Sequence, residues 1–165
     1  MVDGKEESIN SVHFLKTDPK ARYQGFSFYF REGFCWNNIL NPKARLLKAK
    51  LKLASVNDVG SMSLIPIFPE LSSKFIIGLL NSNLIFDYYR EFVNCTVNIQ
   101  INDIRQLPIV IPRKEELKIF ELLVDKSISI KKSALEIDYE TDYIDAGLVL
   151  IEKEIDNAVL LLYRI

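Results

Sequence analysis

Ser72-Ser73-Lys74-Phe75-Ile76-Ile77-Gly78-Leu79-Leu80-Asn81-Ser82 is the stretch whose reading decides the fold. Ser72-Ser73 offers a hydroxyl to the open N–H groups of a helix start. Phe75, Ile76, Leu79 and Leu80, continued by Leu84 and Tyr88, recur at three- and four-residue steps. The spacing predicts one amphipathic helix over 72–92 with a single apolar stripe. Such a stripe needs an apolar partner surface, and the sequence upstream supplies one.

Tyr23, Phe26, Phe28, Phe30, Phe34 and Trp36 fall mostly at even positions, the period-two pattern of a strand. Gly33, Asn37-Asn38 and Asn41-Pro42 supply turns. Residues 46–56 read as a strand or strand pair, and 61–68 as another that Pro69 ends. Downstream, Val97, Ile99 and Ile101 alternate with Thr96, Asn98 and Gln100, which predicts a half-buried strand. Pro108 and Pro112 bracket a short extended piece, Ile109-Val110-Ile111. Two more amphipathic helices follow, one over 114–133 and one from Asp142 or Ile144 to Tyr163, the latter carrying Leu148, Ile151, Ile155, Val159 and Leu162 on its apolar side. The expected class is α+β: a small sheet-rich domain with an embedded helix, followed by C-terminal amphipathic helices. Its expected division is a flexible lead-in (1–13), a sheet-rich domain (14–112) and a helical region for docking or dimerisation (113–165).

A chain of 165 residues suits one domain, with an apolar share of 48% sufficient for a core without disulfides or metals. Cys35 and Cys95 are too few for a disulfide framework and read as small buried apolar residues in a reducing compartment. The polar, acidic residues 1–8 are unlike a signal peptide, and no apolar run approaches the ~20 residues of a membrane span. The expected location is the cytoplasm, with no membrane partner.

The net charge of −1 selects no partner, but the charge is segregated. Lys16, Lys20, Arg22, Arg31, Lys43, Arg45, Lys48, Lys50 and Lys52 precede Leu53 against only Asp18 and Glu32 over 14–53. The C-terminal part leans acidic, with Glu136, Asp138, Glu140, Asp142, Asp145, Glu152, Glu154 and Asp156. A basic block interleaved with aromatics fits a surface that meets phosphate. Lys48, Lys50 and Lys52 alternate with Ala49, Leu51 and Leu53, so a strand would carry three ammonium groups on one face about 7 Å apart. The same pattern also fits a solvated edge strand that discourages pairing.

Catalytic signatures are missing from the sequence. His13 stands in the polar lead-in without a nearby partner. There is no glycine-rich phosphate loop, no Gly-x-Ser-x-Gly elbow and no His-Glu-x-x-His pair. Asp138, Glu140, Asp142 and Asp145 lack the ligand alternation and glycine of a calcium loop, and fit an acidic linker between helices. Glu152-Lys153-Glu154 falls on a predicted helix face, and no Asn/Asp-Pro-Pro-Tyr/Phe loop is present to hold a flipped base. The chain reads as non-catalytic.

Four stretches then carry a resemblance. They are Gly33-Phe34-Cys35-Trp36-Asn37-Asn38-Ile39; Arg45 with 46–59 and 62–69, ending Ile67-Phe68-Pro69; Leu79-Leu80-Asn81-Ser82; and Thr96-Val97-Asn98-Ile99-Gln100-Ile101-Asn102-Asp103-Ile104 with Leu107-Pro108-Ile109. Ile151-Glu152-Lys153-Glu154-Ile155-Asp156 and Leu162-Tyr163 extend it, although Arg164 stands where a glycine is usual. In order and spacing over 33–163 the chain resembles the C-terminal target-recognition domain of type IIG restriction-modification enzymes and TaqI-like adenine DNA methyltransferases.

The resemblance implies a sequence-reading module that grips duplex DNA while a separate catalytic domain or subunit methylates adenine or cleaves. S-adenosylmethionine and Mg2+ would belong to that catalytic part, and none to this chain. Lys43, Arg45, Lys48, Lys50 and Lys52 are the expected phosphate contacts. Arg22, Arg31, Asn37 and Asn38, with Gln24 and Gln100 behind them, have the donor and acceptor forks that read base edges, and Trp36 is a candidate to stack or wedge, although an aromatic beside Phe34 is more often core. The helical region would dock on the catalytic part or pair with a second copy. The chain would be an excised domain or a naturally split product. Two other readings stay open: half of a type I specificity subunit, and a protein–protein adaptor with a basic face.

Overall fold

The computed structural model describes residues 13–14, 16–18, 26–41, 43–56, 60–68, 70–136 and 141–165, with the side chains of 26, 134–136 and 141–145 excepted. The proposed flexible lead-in thus lies almost wholly outside the described residues. Among them, three short antiparallel strands and five α-helices make an α+β fold.

The strands are β1 (Gly33–Asn37), β2 (Lys50–Lys52) and β3 (Ser61–Leu64), in spatial order β2-β1-β3. Cys35 faces Lys50 on one side and Ser63 on the other; Gly33 faces Lys52. Gly33 is there because a Cβ would run into the Leu64 carbonyl oxygen. Phe34 and Trp36 lie two apart in β1 with rings 6.0 Å apart, and both are buried.

The strands are shorter than the apolar pattern predicts. Phe26–Phe28 is a 3-10 turn, and Phe30 has φ 57. Lys48 has φ 55, so the run before Lys50 is not extended strand. The 96–101 stretch is no strand either. It contributes one bridge, Ile39↔Asn98, flanked by Leu40 N–H to the Val97 carbonyl (2.7 Å) and Ile99 N–H to the Asn38 carbonyl (2.9 Å). The Asp103 carboxylate accepts from the Gln100 N–H and the Asn94 side chain, both at 2.8 Å, and thereby turns the chain into a helix at Ile101.

Helix α1 (Ser73–Leu80) starts where the sequence places it, with the Ser72 hydroxyl accepting from Phe75 N–H. It does not continue to residue 92. Asn81 leaves helical geometry and Ser82, fully buried, starts a new helix: its Oγ accepts from Ile85 N–H and donates to the Leu79 carbonyl. Helix α2 (Asn83–Tyr88) then passes into a π-helical turn, Tyr89–Val93. The break has a cause in the sheet. The Asn81 side chain accepts from Ala49 N–H and donates to the Ala49 carbonyl, both at 2.8 Å, satisfying the backbone just ahead of β2.

Nor does α1 have one buried stripe. Phe75 through Leu80 are all buried, because the helix is enclosed by the sheet on one side and by two long helices on the other. After the short α3 (Ile101–Ile104), those helices are α4 (Lys114–Glu136) and α5 (Thr141–Tyr163), close to the predicted spans. Residues 113–123 face 154–162 and Gly147 sits over Ile130, so the pair is antiparallel. Gly78 lets them approach: a Cβ there would come 3.2 Å from Phe120. Phe75 and Phe120 meet edge to face at 5.1 Å. Phe120, Leu123, Val124, Ile155 and Val159 belong to the same core as Phe34 and Trp36. The expected boundary at 112/113 therefore marks a change of secondary structure within one core.

Candidate nucleic-acid interface

The basic residues split into two groups. Lys43, Arg45, Lys48 and Lys50 are exposed, Lys43 on a turn in which its N–H donates to Asn41 Oδ1 at 2.9 Å. Lys52 is buried, 5% exposed, and its Nζ donates to the carbonyls of Ser55 (2.6 Å), Arg31 (2.8 Å) and Leu53 (3.3 Å). It stands opposite Gly33, where no side chain opposes its stem. The expected three-lysine stripe is corrected on both counts: Lys48 precedes the strand in a left-handed conformation, and Lys52 turns inward as a structural tie.

What the fold assembles instead is a groove of about 640 Å³ between β2 and the helix pair. Lys48 and Lys50 stand on its sheet side, Lys131 and Lys132 on α4, and Glu152 on α5. Ala49, Ile77, Gly78, Val124 and Ile155 give it an apolar floor. Four amines against one carboxylate make the groove cationic, in a chain whose overall charge is slightly negative. The sequence pattern does not single out Lys131 and Lys132. Their adjacency is visible, but nothing in the spacing places them opposite residues 48–50.

The base-reading candidates are scattered. Arg31 is exposed with its guanidinium 5.6 Å from the centre of the Phe28 ring, a cation–π contact. Asn37 is exposed at the end of β1; Asn38 is half-buried, its backbone engaged by Gly60 and Ile99. Gln100 is exposed at the start of α3. Arg22 and Gln24 lie outside the described residues. Trp36 is a correction: at 1% exposure it is core and offers no face to a base. Of the cysteines, Cys35 is buried as expected and Cys95 is exposed.

Among the described residues, Phe14, Phe28, Phe30, Phe68 and Phe92 are exposed, and of these Phe28 and Phe30 stand at the end of the sheet beyond Lys52. Phe28 and Phe30 are 55% and 69% exposed, and Leu53, 70% exposed, lies in the adjoining loop. Phe30 N–H donates to the Ser55 carbonyl at 3.2 Å, joining the two loops that Lys52 also ties. A phenylalanine with φ 57 costs about 1–2 kcal/mol, so the surrounding bonds must over-determine it.

Among the described residues, no three His, Cys, Asp or Glu side chains converge on a point that would hold a metal ion. Asp138 and Glu140 lie outside them. Among them also, no helix is long and apolar enough to cross a membrane.

No family model and no curated protein matches this chain. The groove, the loops beside it and the motif resemblance therefore carry the functional reading.

Proposed function

We propose that the chain is a non-catalytic, sequence-reading DNA-binding module of a bacterial restriction-modification system. It acts in the cytoplasm and directs adenine methylation or cleavage by a separate catalytic domain or subunit, which would carry S-adenosylmethionine and Mg2+. The observation that carries the reading is the convergence of Lys48 and Lys50 with Lys131 and Lys132 on one groove from segments far apart in sequence. Gathering like charges costs electrostatic energy that a polyanion would offset. Exposed Lys43 and Arg45 in the segment leading to β2 extend the same basic run. The order and spacing of the motifs over 33–163 supply the association with restriction-modification enzymes.

A second reading, half of a type I specificity subunit, is favoured by the outer face of the helix pair. Ile119, Leu122, Val149, Leu150 and Leu161 are all exposed there, which suits helix docking to a methyltransferase subunit. In both readings the module binds duplex DNA.

The test is retention of short duplexes from a mixed-sequence pool at low and moderate salt, followed by sequencing. The expected result is salt-dependent binding with one short motif enriched. Replacing Lys131 and Lys132 together by Gln should flatten the slope of log affinity against log salt by about 0.9 for each phosphate no longer neutralised. No retention even at low salt would overturn the reading and favour an adaptor whose basic face meets an acidic protein.

A further inference from the structure

Resting on that reading, we propose that Phe30 is an apolar wedge that enters a base step of the bound duplex, with Leu53 beside it and Arg31 at its flank. A wedge must be large, flat, exposed and held stiffly enough to part stacked bases. Phe30 is 69% exposed, and its left-handed backbone holds it at the tip of the turn Phe28–Arg31, closed by Arg31 N–H to the Phe28 carbonyl. Leu53 is 70% exposed in the adjoining loop.

The stiffness comes from below. Phe30 N–H is bonded to the Ser55 carbonyl, and the buried ammonium of Lys52 gathers the carbonyls of Arg31, Leu53 and Ser55. One charged group thus clamps both loops at residues adjoining the exposed side chains. Arg31, stacked on Phe28, brings a guanidinium to the same tip for phosphate or a base edge.

Position selects nucleic acid as the occupant. Leu53 also lines the lysine groove, so the tip lies at the end of the surface that carries Lys48 and Lys50. A duplex whose phosphates follow those lysines would meet the tip along its own axis. Trp36, the aromatic that the sequence offers for stacking, is enclosed in the core and cannot do this.

The experiment uses the full chain and its Phe30→Ala, Phe30→Gly and Phe30→Trp variants. Each is titrated with the duplex enriched from the pool, or with a mixed-sequence duplex, over a range of salt. End-to-end fluorescence transfer on the duplex reports its bend. The wild type should kink the duplex by roughly 20–90°. Phe30→Ala and Phe30→Gly should bind about tenfold more weakly at an unchanged salt slope, since the ring stacks on bases and neutralises no phosphate. They should also lose the bend, and Phe30→Trp should keep both. Phe30→Gly relieves the left-handed backbone and should unfold no lower than the wild type, so weak binding is not mistaken for misfolding. Wild-type binding without a bend, or equal affinity and bend in Phe30→Gly, would overturn the wedge while leaving the DNA-binding reading intact. Failure of the wild type to bind any duplex would overturn both.

Discussion

Replacing Lys52 by Met, with Lys50→Met as its control, separates two lysines that occupy one three-residue strand. Lys50 is exposed on the groove, whereas the Lys52 ammonium is bonded to three carbonyls at 2.6, 2.8 and 3.3 Å. Methionine keeps most of the stem's packing and removes the charge and the donors. A hydrogen bond to a charged group is worth about 1.5–3 kcal/mol. The three are not additive, and the carbonyls of exposed Arg31 and Ser55 can take up water once released. The net loss expected for Lys52→Met is therefore about 2–3 kcal/mol, near the value of one such bond. In a chain of this size that lowers Tm by roughly 5–10 °C. Lys50→Met should stay within about 0.5 kcal/mol of the wild type. Urea unfolding gives both numbers, with an unchanged m-value as the check that the transition is the same. The DNA readout should invert the order: Lys50→Met lowers the salt slope by about 0.9, and Lys52→Met leaves the slope but weakens binding through its loops. Equal stability of the two variants would refute the assignment of Lys52 as a structural tie.

Two further perturbations probe what holds the groove. Asn81→Ala removes both bonds to Ala49 and leaves a buried backbone N–H unpaired, for a loss of about 2–3 kcal/mol in urea unfolding; Asn81→Asp should be no better near neutral pH, where a carboxylate oxygen faces the Ala49 carbonyl, and should recover on acidification as that carboxyl protonates. Tyr89 has its hydroxyl pushed up to about 12 from 10.0, first by burial and then by the nearby Asp103 carboxylate. Its folded pKa is the higher one, so its contribution is intact below pH 10.0 and is lost as pH rises through about 12; Tyr89→Phe should flatten that alkaline fall in the urea midpoint, and an unchanged fall would refute it.

The helices were largely legible in the sequence because their ends carry local chemistry. The Ser72 cap, the Pro112-Arg113 approach to α4 and the apolar rhythm of Ile151, Ile155 and Val159 are decided within a turn or two of chain. The sheet was legible in kind but poorly in extent. Alternation at 46–56 and 96–101 predicted strands, yet Asn81 reaches over to fix Ala49, and Asp103 pulls Gln100 into a helix start. Those side chains decide the backbone through interactions that periodicity does not encode. The same holds for the lysines: Lys50 and Lys52 have the same parity and neighbours of similar character, and only the register against Gly33 turns one inward. Trp36 and Phe30, six residues apart in one aromatic pattern, end up enclosed and exposed respectively for a related reason. Aromatic content marked the region, but which ring is enclosed depends on where β1 begins, at Gly33, leaving Phe30 beyond it.

The helix pair has a consequence for how the module would work. The helical region was expected to be an appendage for docking, yet α4 supplies Lys131 and Lys132 to the groove and Phe120 and Val124 to the core beneath it. The wall that holds two of the four lysines is thus packed on the helix that also anchors β2 through Asn81. Any partner seated on exposed Leu122, Val149 or Leu150 would press on elements whose other faces build the groove and the core. Docking and DNA binding would then be linked through α4 itself. The linkage is reciprocal by thermodynamic necessity: a partner that tightens the grip on DNA must itself bind more tightly to the DNA-bound module.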